Sequence, residues 1–400
     1  MISANRSAAH AARHAPARPP QSGFSLIELM VASTVGLVIM LAILTLYTNT
    51  SRNNAELSRT SVLIESGRLG IQLLQKEIAH AGFWDLYVPE FDDLTFKNAP
   101  TVPSEIPDPC LPLASWAGQA SNAEKNLLGI AVQVHDSVPS GCSTLLSNWK
   151  SGTDILVIRH ARTCVAGASG CDPLVDGKLY LQVSRAQGGS ACSSAIRNEP
   201  RYVLSTATGY ELHKRDCSLL QEKRQYVSNI YYIRNYSLQI GDGIPTLVRS
   251  EFDLEDGVIK ARAPVALIDG IEGLRVDLGI DRISDAGIDV ISNADTAKRW
   301  TAAVAWANAK QLNSPINRGD GVPDEFVHCS GVCSIDRLAN VVAVKVSLLA
   351  RNRQPTQGHT DNRSYTLGSQ TIAAANDAYK RHAFSTVVRL NNIAGRRETP

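Results

Sequence analysis

The stretch QSGFSLIELMVASTVGLVIMLAILTLY, residues 21–47, carries one carboxylate, Glu28, at the head of an otherwise apolar run. From Leu29 to Tyr47 there is neither charge nor proline. With Phe24–Ile27 included, the segment is about 24 residues, or roughly 36 Å as a helix, enough to cross a bilayer. A secretory signal peptide would have a shorter apolar region followed by a small-residue cleavage site. Here the small residues come first, at Ser22-Gly23, and no A-x-A site follows Val38, Leu41 or Tyr47, so removal of the whole segment is disfavoured.

Upstream, residues 1–22 hold Arg6, Arg13 and Arg18 and no acid. The positive-inside tendency keeps such a leader cytoplasmic and sends everything after Tyr47 to the opposite side. All eight cysteines lie there: Cys110, Cys142, Cys164, Cys171, Cys192, Cys217, Cys329 and Cys333. An even count beyond a membrane segment indicates an oxidising compartment and a disulfide framework. Eight cysteines can pair in about 105 ways. Local spacing favours Cys164–Cys171 and Cys329–Cys333, with Cys110–Cys142 and Cys192–Cys217 as the simplest completion. Zinc is the rival reading, but Cys329-Ser-Gly-Val-Cys333 has no matching second pair.

The helical pattern continues past the membrane run. Residues 48–82 contain no proline, and Ile64, Ile71, Leu74 and Ile78 mark one apolar face. Gly67 and Gly70 weaken the helix by about 1 kcal/mol each. The expectation is one helix from about Ser25 to His80, transmembrane over about 24–47, whose second half lays its stripe on the globular remainder. That remainder reads as β-rich. After a proline-rich irregular connection over 86–125, strands are expected at 154–159, 178–184, 201–205, 226–236, 246–251, 274–278, 341–349 and 384–390. Val342, Val344, Val346 and Leu348 alternate with Ala343, Lys345 and Ser347 as a half-buried strand. A helix is expected over Asp295–Leu312. The fold class is α+β, with the long N-terminal helix packed on an antiparallel sheet.

An apolar fraction of 44% in 400 residues supports a sizeable core. Without the leader's three arginines, 37 basic residues face 38 acidic ones, which leaves no broad footprint for nucleic acid. Tyr226, Tyr231, Tyr232 and Tyr236 near Arg234 resemble a stacking platform, but period-two alternation favours a sheet strand. The nine histidines are dispersed, and no H-E-x-x-H, G-x-S-x-G, P-loop or dinucleotide fingerprint is present. No catalysis and no cofactor are expected. Asp320, Asp324 and Glu325 share one turn, which Asp281, Asp285 and Asp289 could join as a weak calcium candidate. The turn lacks an EF-hand pattern, so a solvated turn is favoured.

Glu28 itself needs a partner, because a carboxylate in a membrane helix costs a few kcal/mol, on the order of 2–3 on insertion scales.

Gly23-Phe24-Ser25-Leu26-Ile27-Glu28-Leu29, behind a basic leader and ahead of a membrane helix, resembles the cleavage and methylation site of type IV prepilins and pseudopilins. The resemblance implies a cut after Gly23, which would free an amine at Phe24 about one turn from Glu28, in the same chain or a neighbour. Leu74-Gln-Lys-Glu-Ile-Ala-His-Ala-Gly-Phe83 resembles the end of the long helix in PilW-type minor pilins. Weaker echoes are Tyr232, Ile271-Glu-Gly-Leu274, Leu278-Gly-Ile-Asp281, Gly319-Asp-Gly-Val-Pro-Asp324, Val341–Arg351, Tyr379-Lys-Arg381 and Ala383–Leu390. Residues 282–319 look like an insertion relative to that family. The resemblance implies a pilin-like fold: a cleaved leader over 1–23, a helix over 24–82 and a periplasmic head over 83–400. It implies an inner-membrane minor pilin, cut by a prepilin peptidase and joining the pilus fibre or tip. Its partners would be other minor pilins, the major pilin and the inner-membrane assembly machinery. The same architecture would serve a type II secretion pseudopilin. A tip adhesin or DNA-uptake component is a further alternative.

Overall fold

The computed structural model describes residues 23–118, 122–186, 192–206, 211–308, 311–331 and 333–398. The leader over 1–22 lies outside the described residues. Helix α1 runs from Leu26 to His80 without interruption, and the chain separates into one unit ending at Ser58 and a second from Arg59 onward. In the first unit the apolar side chains from Leu26 to Tyr47 are exposed, along a helix long and apolar enough to cross a membrane. The second unit begins inside α1, whose last turns belong to the head's core.

Those turns bury Leu63, Gly67, Gly70, Leu74 and Ile78. Ile64 and Ile71, expected to lead the apolar face, flank it and are only partly buried. The face is turned toward the glycines because the helix comes very close to the sheet. A Cβ on Gly67 would collide with the Phe384 ring, and one on Gly70 would stand 2.8 Å from Leu348 Cδ1. The two glycines that weaken the helix by propensity are therefore its closest contact points.

The first sheet is antiparallel and holds β1 (Val132–His135), β2 (Ile155–Ala161), β3 (Tyr180–Val183), β4 (Tyr202–Ser205), β5 (Lys223–Arg234), β6 (Thr246–Glu255), β7 (Val258–Ala261) and β8 (Val265–Asp269). Its order is β1-β2-β5-β3-β4, with β6 joining β5 and carrying β7 and β8. Then come β9 (Ile271–Ile280), a hairpin of β10 (Trp306–Asn308) and β11 (Gln311–Pro315), β12 (Glu325–Val327), β13 (Val341–Arg351), a hairpin of β14 (Tyr365–Leu367) and β15 (Gln370–Ile372), and β16 (Arg381–Arg389). The second sheet has the order β12-β9-β13-β16. Leu348 sits opposite Leu274 on β9 and Phe384 on β16, which carries the helix-facing row across three strands. Short helices α2 (Ala123–Gly129), α3 (Ser194–Arg197), α4 (Ile335–Leu338) and α5 (Asn391–Arg397) lie between or after the strands. One apolar core joins α1 to both sheets.

Two expectations are corrected. Strand β13 is not half-buried: Ala343 and Ser347 are also buried, and Lys345 and Arg351 are the partly exposed members. The β14–β15 hairpin covers the outer face, where Leu367 and Ile372 close on Gly273 beside Leu349. The helix over 295–312 is absent. A single 3-10 turn at Thr296–Lys298 is followed by the β10–β11 hairpin. The reason is Asn317, whose side chain donates to the carbonyls of Ala297, Arg299 and Ala303 and accepts from the Ala305 N–H. One side chain therefore satisfies three carbonyls and one N–H that a helix would have bonded along its own backbone.

Candidate functional site

At the N-terminal end of α1, Phe24 is 89% exposed. An added Cβ on Gly23 would meet nothing within 4 Å. The chain's own fold therefore places no steric demand for glycine there. Ser25 and Glu28 cap the helix reciprocally: the Ser25 N–H donates to Glu28 Oε2 at 2.9 Å, and the Glu28 N–H donates to Ser25 Oγ at 3.2 Å. This is a capping box, which satisfies two of the donors a helix start leaves open. The signature Ser25-x-x-Glu28 was present in the sequence, and a reading of Glu28 as a pairing charge alone misses it. An ionised carboxylate has about four lone-pair sites, so Glu28 can keep this bond and still accept from an amine.

At the other end of α1, the chain's last element closes on the helix. Asn392 on α5 places Nδ2 3.2 to 3.4 Å from the carbonyls of Ala79, His80 and Ala81. Arg396 donates to the Gly82 carbonyl at 2.8 Å. These are the acceptors a helix end leaves unpaired. Gly82 turns the chain with φ +71°, and a Cβ there would sit 2.8 Å from Ile393.

Except for Tyr232 on β5, the head segments that resembled a known family in fragments lie in or beside the second sheet. Arg381 is nearly buried and binds Glu272 at 2.6 Å and Asp377 at 2.6 and 2.7 Å. Asp281 accepts from the backbone N–H groups of Asp320 and Gly321 at 3.1 and 2.9 Å, and from Arg397 at 3.1 Å. Arg397 also binds Asp92 at 2.8 Å and Asn340 Oδ1 at 2.9 Å. A third buried carboxylate, Asp154, accepts from Arg275 and the Val276 N–H, both at 2.7 Å, and faces His328 Nε2 at 3.1 Å. It pins the start of β2 to β9 and so ties the two sheets together. Such pairs fix geometry more than they add stability, since desolvation offsets most of their Coulomb energy.

The turn with Asp320, Asp324 and Glu325 does not aim its carboxylates at one point. Asp320 accepts from the Val322 N–H, Asp324 from the N–H groups of Arg282 and Ile283, and Glu325 pairs with Arg282. Asp289 also binds Arg282. Among the described residues, three metal-capable groups with ligand atoms within 4.8 Å of one another occur at Asp108, Cys110 and Cys142. Both sulfurs there are in a disulfide and offer no thiolate. The cysteines pair as Cys110–Cys142, Cys164–Cys171, Cys192–Cys217 and Cys329–Cys333, the pairs that spacing suggested. Tyr226, Tyr231 and Tyr232 are buried in β5, which makes that stretch a core strand rather than a stacking platform.

Two family models match the chain. The Prokaryotic N-terminal methylation motif covers residues 18–44, and Type IV Pilus-assembly protein W covers residues 230–392. Comparison with curated proteins finds no match. Among solved structures, the type IV-like pilin TTHA1219 from Thermus thermophilus is similar at a TM-score of 0.32 and 11% identity, over 83% of this chain and 96% of that one. So distant a likeness positions no element.

Proposed function

Given that this chain is a type IV pilin-like protein of the PilW family, we propose that it is a minor pilin that takes part in initiating or capping the assembly of type IV pili. The observation that carries this is the union, in one chain, of a methylation-motif N-terminus and a PilW-matching head. On this reading the leader stays cytoplasmic, α1 anchors the chain once in the inner membrane, and the head stands in the periplasm. A prepilin peptidase cuts between Gly23 and Phe24 and methylates the new amine. That amine, or a neighbour's, meets Glu28, whose bond to Ser25 holds the carboxylate at the start of the helix. Partners are other minor pilins, the major pilin and the inner-membrane assembly machinery. On this reading the head's role is structural and non-catalytic.

Deleting the chain and scoring surface pili, secreted hydrolases and DNA uptake separately tests the proposal. Loss of pili with secretion intact is expected. Loss of secretion with normal pili would overturn it in favour of a pseudopilin. Loss of attachment or DNA uptake alone, with pili intact, would overturn it in favour of a tip receptor.

A further inference from the structure

We propose that Glu77, His80 and His160 form a binding site for a divalent transition-metal ion, zinc above all, where the end of α1 meets β2. Glu77 and His80 are three residues apart, so the helix places them on one face. His160 faces them from β2, its ring centroid 5.7 Å from that of His80 with the planes 34° apart. Two imidazoles sharing one zinc at about 2.0 Å per bond have their centroids roughly 5–6 Å apart. The three residues line one open cavity of about 340 Å³.

The tautomers are set by the backbone. His80 Nδ1 lies 2.7 Å from the Lys76 carbonyl and His160 Nδ1 lies 2.9 Å from the Ala161 carbonyl. A carbonyl only accepts, so each Nδ1 donates, and in the neutral form of each ring the lone pair is on Nε2. This is the outer-shell arrangement that orients metal-ligating histidines. Glu77 Oε2 stands 3.9 Å from His160 Nε2, longer than a hydrogen bond and slightly longer than two ligands of one ion. Its other neighbours include the neutral Asn229 amide at 3.4 Å. Of the basic groups on the cavity wall, Arg249 pairs with Glu251 and Arg162 with Asp172, and Lys76 also lines it. The ligand atoms do not yet lie within 4.8 Å of one another, so loading draws them inward, and a closed sphere would take its fourth ligand from water. Imidazole and carboxylate together suit zinc better than magnesium or calcium, which take oxygen ligands.

The test uses the untagged full chain in detergent, stripped with chelator and dialysed against Zn²⁺, with Mg²⁺ and Ca²⁺ as comparisons. One zinc per chain is expected, along with a rise in thermal midpoint by mass action. His80→Gln and Glu77→Gln, the more exposed ligands, should each weaken binding by about tenfold or more, and adding His160→Gln should abolish it. Replacing zinc with Co²⁺ should give tetrahedral visible absorption in the unsubstituted chain, which reads the site without any variant. No stoichiometric zinc, or zinc binding unchanged by His80→Gln and Glu77→Gln, would overturn the proposal. Binding lost only in variants of His10 and His14 would overturn it as well, by placing the metal on the leader.

Discussion

At the scale of single residues, Glu28 has two roles that substitution can separate. Ser25→Ala removes one capping bond and should cost the helix start about 0.5–2 kcal/mol, yet it leaves the carboxylate free to meet an amine. Incorporation into pili, measured by immunoblot of sheared fibres, should stay close to normal. Glu28→Gln keeps size and polarity but removes the charge, so the chain should insert and fail to incorporate. Equal loss in both variants would mean that capping, not pairing, is what assembly needs. Gly23→Ala fits the fold without contact, so its effect reports on recognition by another protein. We expect a precursor of undiminished mass in the membrane fraction, whereas a mature-sized band would remove the cleavage assignment.

At the scale of elements, the contact between α1 and the second sheet depends on missing side chains. Gly67→Ala drives a methyl group into the Phe384 ring and should destabilise the head by about 1–3 kcal/mol through overpacking. That outweighs the gain of about 1 kcal/mol that alanine brings to an isolated helix. Adding Phe384→Leu should restore part of the loss in urea unfolding, and additive losses would contradict direct contact. The same contact shows what sequence could and could not supply. Helix period, membrane run and the longer strands were legible because hydrophobic spacing is a local signal, whereas short strands such as β1, β7, β8, β12 and the two small hairpins were not. The exact face of α1 was not, since Gly67 and Gly70 carry no hydrophobicity and announce close approach only once Phe384 and Leu348 are known. The misread helix at 295–312 failed for a related reason. Its alanine-rich propensity was overridden by Asn317, and propensity is a weak prior against such tertiary bonds. At the N-terminal site Gly23, Phe24 and Glu28 were readable, while the part played by Ser25 required reading the helix start as a cap.

At the scale of the whole molecule, the four disulfides close loops of very different length. Cys110–Cys142 spans 32 residues and Cys329–Cys333 spans 4. Loop entropy predicts that opening the first, as the paired Cys110→Ser and Cys142→Ser variant, costs about 3–4 kcal/mol and more than opening the second. Denaturant midpoints of the two paired variants check the ranking. Stability should also depend on pH through His135. Burial first, and the nearby Arg159 guanidinium second, push its imidazole down to about 4, while an unfolded chain protonates near about 6.5. The unfolded state then takes up the proton first. The His135 contribution is fully present above about pH 6.5 and is lost as pH falls toward about 4, by at most about 3 kcal/mol. Urea unfolding at pH 7 and pH 5 should show the loss, and His135→Gln should flatten it.

The closure of α5 on the end of α1 also has a mechanical meaning. Asn392 and Arg396 grip the carbonyls of Ala79 to Gly82, and α5 follows directly on β16, which pairs with β13. Tension drawn along α1 toward its N-terminus therefore does not peel the head open from one end. It is shared between the chain leaving the helix at Gly82 and the chain's own tail, and passes through both into the sheets.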